Sequence, residues 1–141
     1  MRLAECVPVP LDPICEYVVV QVTRVHPLEV PRGALGRYLP GSRIEIVMGL
    51  PEEVFRLTLA HEIGHHVLYH DARSRWDSMD SLFARGDPHE REAWDFAGEL
   101  LMPTSAFRRE VNRSPDPDIL AVRFKVTRQA VIVELSKRNL L

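Results

Sequence analysis

The sequence predicts an α+β arrangement, a small sheet packed on one buried helix with further helices after it, and three observations carry that expectation. Two β-branched segments come early, at residues 17–25 and 44–48. A run that is apolar nearly all the way round follows from Pro51 to Leu68. Amphipathic stretches headed by helix-start signals then fill the chain from Asp87 onward.

Taken in order, the first 16 residues are proline-rich and read as irregular. Residues 17–25 (YVVVQVTRV) are rich in β-branched side chains and read as a strand. Gly33, Gly36, Pro40 and Gly41 mark residues 32–42 as loop and turn. Ile44, Ile46 and Met48 alternate with Glu45 and Val47, which suggests a second strand with one buried face, able to bind an extended peptide. Pro51 suits the first position of a helix, and Glu52 and Glu53 suit its positive end. Val54, Phe55, Leu57, Leu59, Ala60, Ile63, Val67 and Leu68 leave that helix no wide polar face, so it belongs at the centre of its domain. Residues 71–88 are polar and aperiodic, a loop long enough to be functional or mobile. Asp87-Pro88 caps and starts a helix from about His89 to Leu101, stopped near Pro103. Short helices follow at residues 104–111, from Asp116-Pro117 to about Phe124, and from Arg128 to about Arg138 with Thr127 as cap.

Composition narrows the class without naming it. At 141 residues, 45% hydrophobic and 27% charged, the chain suits one soluble domain spanning residues 1–141. The net charge of −2 conceals an asymmetry: residues 1–103 hold 16 acidic and 10 basic side chains, residues 104–141 hold 4 and 8. The basic tail could meet an acidic partner or nucleic acid, or be a solvated helical surface. Cys6 and Cys15 form no C-x-x-C pair and read as reduced, structural residues. Glu5, Pro8, Pro10, Asp12 and Pro13 break any signal-like apolar run, and no stretch reaches membrane-spanning length. A cytoplasmic location is the expectation.

The informative stretch is His61-Glu62-Ile63-Gly64-His65. On a helix, residues four apart share a face one turn apart, so His61 and His65 can put two imidazole nitrogens on one zinc ion. Glu62, rotated about 100° away, borders the metal without ligating it, where it can accept a proton from the water whose pKa the metal lowers. Gly64 keeps the helix thin beside the ligands, for a substrate backbone or a packed neighbour. Packed core histidines and a surface glutamate are the bland alternative, but unpaired polar groups in an apolar run are costly, and a metal explains all three.

Zinc needs a third protein ligand. His66, His70, Asp77, Asp80, Asp87, His89, Glu90 and Glu92 lie downstream. His66 and His70 fall off the His61/His65 face, which leaves the helix starting near His89. On a helical wheel the apolar face of Ala93, Phe96, Ala97, Leu100 and Leu101 centres about 50° from Glu90 and about 110° from Glu92. Glu90 is therefore the expected ligand. His89 is the next rival, and a capping box between Asp87 and Glu90 is the structural alternative.

Residues 56–70 (RLTLAHEIGHHVLYH) and 90–103 (EREAWDFAGELLMP) together resemble the ImmA/IrrE family of metallopeptidases. That family follows a leucine-rich His-Glu-x-x-His helix with Glu-x-x-Ala-Asn-x-Phe-Ala-x-x-Leu-Leu-Met-Pro, whose glutamate falls on Glu90. The tail, residues 120–135, resembles the family's helix-turn-helix-like segment. The resemblance implies a zincin-like fold, with the sheet and zinc-site helices in residues 1–103 and a helical segment in 104–141. It implies cytoplasmic cleavage of a protein partner, a helix-turn-helix repressor or an antitoxin-like regulator. Trp94 departs from the pattern, standing where the family commonly has Asn, a residue that could orient a ligand histidine.

The rival readings are a zinc-binding pseudoenzyme and a helix-turn-helix regulatory module with structural zinc. Glu62 separates them from an enzyme, because a structural site needs no free carboxylate and closes all four positions with protein ligands. Arg128, Gln129, Lys137 and Arg138 could face phosphate or bases, but Ala130, Val131 and Leu135 favour packing and partner recognition over direct DNA binding. Tyr69, His66 and the arginines of residues 71–88 are the groups available to stabilise an oxyanion.

Overall fold

The computed structural model describes residues 6–68, 75–84 and 86–141. In chain order it runs α1 (Asp12–Val18), β1 (Gln21–Val25), β2 (Gly36–Leu39), β3 (Arg43–Val47), α2 (Glu52–Val67), α3 (Met79–Leu82), α4 (Pro88–Leu101), α5 (Thr104–Arg113), α6 (Pro117–Phe124) and α7 (Arg128–Lys137). This is the α+β arrangement expected, strands early and helices late. No described helix is long and apolar enough to cross a membrane.

The sheet has the order β1-β3-β2, with β3 parallel to β1 and antiparallel to β2. Ile44 and Ile46 on β3 are fully buried, because they share the face of the sheet that packs on the core with α2; on both its edges β3 is paired. That corrects one expectation: β3 has no free edge on which to bind a peptide. The edges belong to β1 and to β2, and β2 lies in a segment read as loop. Gly36 and Gly41 caused the misreading. Gly41 does turn the chain, at φ +82°, but a Cβ on Gly36 would lie 2.7 Å from Thr58 Cγ2 and 2.9 Å from the Glu45 carbonyl oxygen. Gly36 is there to let an edge strand lie close on α2.

The N-terminal expectation also needs correcting. Residues 12–18 form a helix, started by Pro13 and ended by Val19 in the left-handed region at φ 60°. The strand begins only at Gln21. Helix α3 is a further departure, since residues 71–88 read as loop; the other helices stand within a few residues of their expected limits, because their signals are local: Asp87, Asp116 and Thr127 each cap with a side-chain oxygen on amides of the first turn.

Helix α2 is buried from Arg56 to His65 and forms the middle of the core. Helix α4 crosses it, and α7 closes the far side with Ala130, Val131 and Leu135 in the same core. Trp94 belongs to that joint. Its indole N–H donates to Glu134 Oε2 at 3.0 Å, and both residues are buried. Arg138 donates to Glu134 and to the Met102 carbonyl at the end of α4. A Cβ on Gly98 would collide with the Glu134 carboxyl group at 2.8 Å. The tail cations are engaged in the same joint or nearby: Arg138 is turned inward, Lys137 pairs with Asp95 and Arg128 with Asp118.

Candidate metal centre

The i,i+4 spacing on α2 brings the His61 and His65 rings together edge to face, with centroids 4.8 Å apart and planes at 84°. Helix α4 brings Glu90 to both. Glu90 Oε2 lies 2.9 Å from His61 Nε2, and Glu90 Oε1 lies 3.1 Å from His65 Nε2. All three residues are buried. The crossing that allows this is closest at Gly64, where a Cβ would come within 2.9 Å of the Ala93 carbonyl oxygen. Of the two roles considered for Gly64, the packed neighbour is the one the structure bears.

The competing residues go elsewhere. Asp87 Oδ1 accepts from the His89 and Glu90 amides, so it is the N-cap, but the Glu90 carboxylate turns to the histidines rather than back to Asp87. Glu92 is exposed and His89 half-buried. His66 is a strut: its Nε2–H donates to the Val18 carbonyl at 2.7 Å and its Nδ1 meets the Tyr38 hydroxyl at 2.9 Å. With both nitrogens engaged, His66 is not placed to serve an oxyanion. Tyr69, His70, Arg73 and Arg85 lie outside the described residues.

One residue named among the candidate ligands, and set aside in favour of Glu90, also joins the site. Asp77 is buried, its Oδ2 lies 3.7 Å from His61 Nε2, and one ligand atom from each of His61, His65, Asp77 and Glu90 falls within 4.8 Å of the others. Asp77 sits on irregular backbone, where no helical or strand period could single it out. Arg75, two residues earlier, donates to Glu90 Oε1 at 3.1 Å.

Glu62 is fully buried, and neither of its oxygens finds a hydrogen-bond donor among the described residues. The group against it is the Asp77 carboxyl, itself an acceptor unless one of the two holds a proton. Burial pushes the Glu62 carboxyl well above its ordinary range, helped by the charge and hydrogen bond of Asp77 and the charge of Glu90, while Arg75 opposes. Burial would raise Glu90 as well, but the hydrogen bonds and charges of His61 and His65 outweigh it and hold Glu90 below the usual range. His61 Nδ1 is also buried without a partner among the described residues. The Trp94 indole N–H is committed to Glu134.

Two imidazole nitrogens and a carboxylate converging at about 3 Å, with a second buried carboxyl beside them that meets only Asp77 among the described residues, fit a divalent metal better than a packed core. With the buried helix under a small mixed sheet, they define a metallopeptidase-like domain of the zincin type. The chain belongs to the family of the IrrE N-terminal-like domain (Peptidase_M78), which matches residues 16–136. Ten solved chains also match. One is described as a Mycobacterium tuberculosis transcriptional regulator, at 23% identity and a TM-score of 0.62, over 89% of this chain and 39% of that chain. At that identity the likeness shows the fold alone, and this chain spans well under half of the regulator's length. No curated protein matches.

The close crossing yields a stability prediction. Gly64→Ala is expected to destabilise the fold by about 1–3 kcal/mol, because the methyl must push the Ala93 backbone away. An open helix glycine would instead gain about 1 kcal/mol from the change. Urea denaturation checks the sign, and a more stable variant would show that α2 and α4 part easily.

Proposed function

We propose that this protein is a zinc-dependent endopeptidase that cuts one specific protein partner, a transcriptional repressor or antitoxin-like regulator. The observation that carries the reading is Glu62. A fully buried carboxyl whose one polar neighbour among the described residues is another carboxyl, Asp77, and which stands one residue from a candidate ligand histidine, is costly to keep unless chemistry uses it.

His61 and His65 would hold zinc through Nε2 and Glu90 through its carboxylate, which suits a borderline-soft ion preferring nitrogen and oxygen donors. When bound, zinc supplies a Lewis acid that polarises a scissile carbonyl and lowers the pKa of the attacking water. Glu62 accepts the proton of that water and later returns it to the leaving amine. Its burial raises its proton affinity towards what such a base needs. The β2 edge, lying along α2, offers backbone groups to an extended substrate segment. The family resemblance supports a regulator as substrate, and one fold neighbour is itself described as a transcriptional regulator.

A second reading is a closed, structural zinc centre in a regulatory module without proteolysis. Asp77 favours it, because it raises the protein ligands within reach to four. One experiment separates the two. The purified chain is expected to hold about one zinc, and with that zinc to cut the regulator encoded beside it at a single bond seen by mass spectrometry. Zinc retained with no cut in any neighbouring regulator would favour the structural centre. No divalent ion held or taken up would end both.

A further inference from the structure

We propose that Asp77 is a removable fourth ligand, which caps the centre in the resting protein and leaves when substrate enters. This rests on the reading of His61, His65 and Glu90 as a zinc site.

Geometry comes first. Around zinc, bonds of about 2.0–2.2 Å put tetrahedral ligand atoms roughly 3.3–3.6 Å apart. The contacts His61–Glu90 at 2.9 Å, His65–Glu90 at 3.1 Å and His61–Asp77 at 3.7 Å straddle that spacing. Asp77 also stands against Glu62. A water that attacks a substrate must touch both the metal and its base, and the Asp77 carboxylate, beside both His61 Nε2 and Glu62, competes for that place.

The backbone of Asp77 is engaged too. Its amide donates to the Gly36 carbonyl at 2.7 Å, and the Leu35 amide donates to the Asp77 carbonyl at 2.8 Å. Asp77 thereby bridges onto the edge of β2 that β3 leaves open. One short strap fills a coordination position and a place on the strand edge, the two places an extended substrate would need. An incoming strand that pairs with β2 lifts Asp77 off both together.

Anchoring explains why Asp77 is the ligand that leaves. His61 and His65 stand on the 16-residue α2, and Glu90 on the 14-residue α4. Asp77 is held by those two backbone bonds, the Ser81 hydroxyl on its Oδ1 at 2.9 Å, and the ring of the adjacent Trp76 under the Arg37 guanidinium. Among the described residues, these bonds and its side-chain contacts with His61 and Glu62 are what hold it, without a regular element to carry it, which is the property of segments that open at low cost.

Cobalt(II) in the full chain is the probe, since its visible absorption reports ligand number and geometry. The wild-type spectrum is expected to stay constant from about pH 6 to 9, because no water is bound to titrate. Asp77→Ala is expected to bind cobalt about tenfold more weakly and to show a pH-dependent spectrum with a midpoint near ~7, from the water that replaces the carboxylate. Acetohydroxamate, a small chelating anion, should bind Asp77→Ala at least about tenfold more tightly than wild type, yet still convert the wild-type spectrum at saturation. A wild-type spectrum that already titrates, or an Asp77→Ala spectrum identical to wild type, would overturn the proposal. So would a wild type that never yields to acetohydroxamate, which would make Asp77 a permanent ligand. If Asp77→Ala fails to fold, the wild-type pH series and acetohydroxamate titration decide. Failure of wild type to bind cobalt removes the zinc reading as well. Binding lost in His61→Ala but unaltered in Asp77→Ala removes only the role of Asp77.

Discussion

Glu62→Gln is expected to give a folded, metal-loaded protein whose cleavage of its partner falls by about 10²–10⁴-fold. Glutamine fills the same space but cannot take a proton from water. The fold should not suffer. The contact of Glu62 with the Asp77 carboxyl can survive the change, because the new amide can donate to Asp77 in place of a shared carboxyl proton. In the metal-free protein the change should even stabilise, with a definite pH dependence. The Glu62 carboxyl is raised in the folded state, so folding binds a proton more tightly, and wild-type stability falls as pH climbs above the ordinary carboxyl range. Glutamine has no such penalty. The advantage of the variant is therefore small near pH 4 and grows towards neutrality, which denaturation at two pH values reads directly. Equal cleavage by both proteins, with equal zinc content, would remove Glu62 from the chemistry.

Glu90→Ala is expected to weaken zinc binding by about 100-fold or more, whereas His89→Ala and Glu92→Ala leave it within a few-fold. Glu90 alone of these three reaches both His61 and His65. Its loss also leaves two adjacent buried imidazoles without the carboxylate they share, so the metal-free variant should unfold at lower denaturant. Glu90→Gln keeps the shape and separates the effects: it should restore much of the stability and little of the affinity. Isothermal titration with zinc, buffered by a competing chelator, measures all four variants. Unchanged affinity in Glu90→Ala together with a loss in His89→Ala or Glu92→Ala would show that α4 presents a different face to the metal.

The choice of Glu90 over Glu92 shows what kind of information a sequence carries plainly. A helix repeats every 3.6 residues, so the phase of Ala93, Ala97 and Leu101 dictates where Glu90 points, with no knowledge of the partner. The same local logic pairs His61 with His65 and places Asp87, Asp116 and Thr127 at helix starts. Trp94 shows the converse. It departs from the family pattern, and local spacing gives it no partner. In the fold its indole serves Glu134, 40 residues away.

From its own residues the chain thus determines a two-histidine helix, the Glu90 carboxylate that meets both histidines and most of the helices behind, because each follows from spacing along a few turns. The tertiary structure alone decided three further things. β3 became the central strand, since its two neighbours come from segments before it in the chain. Gly36 proved to be a point of close approach, since the atoms it avoids, on Thr58 and Glu45, are distant in sequence. Asp77 reached the metal site through backbone pairing with Leu35 and Gly36 across the strand edge. Such pairings depend on which surfaces meet, and no periodicity within a segment encodes its partner.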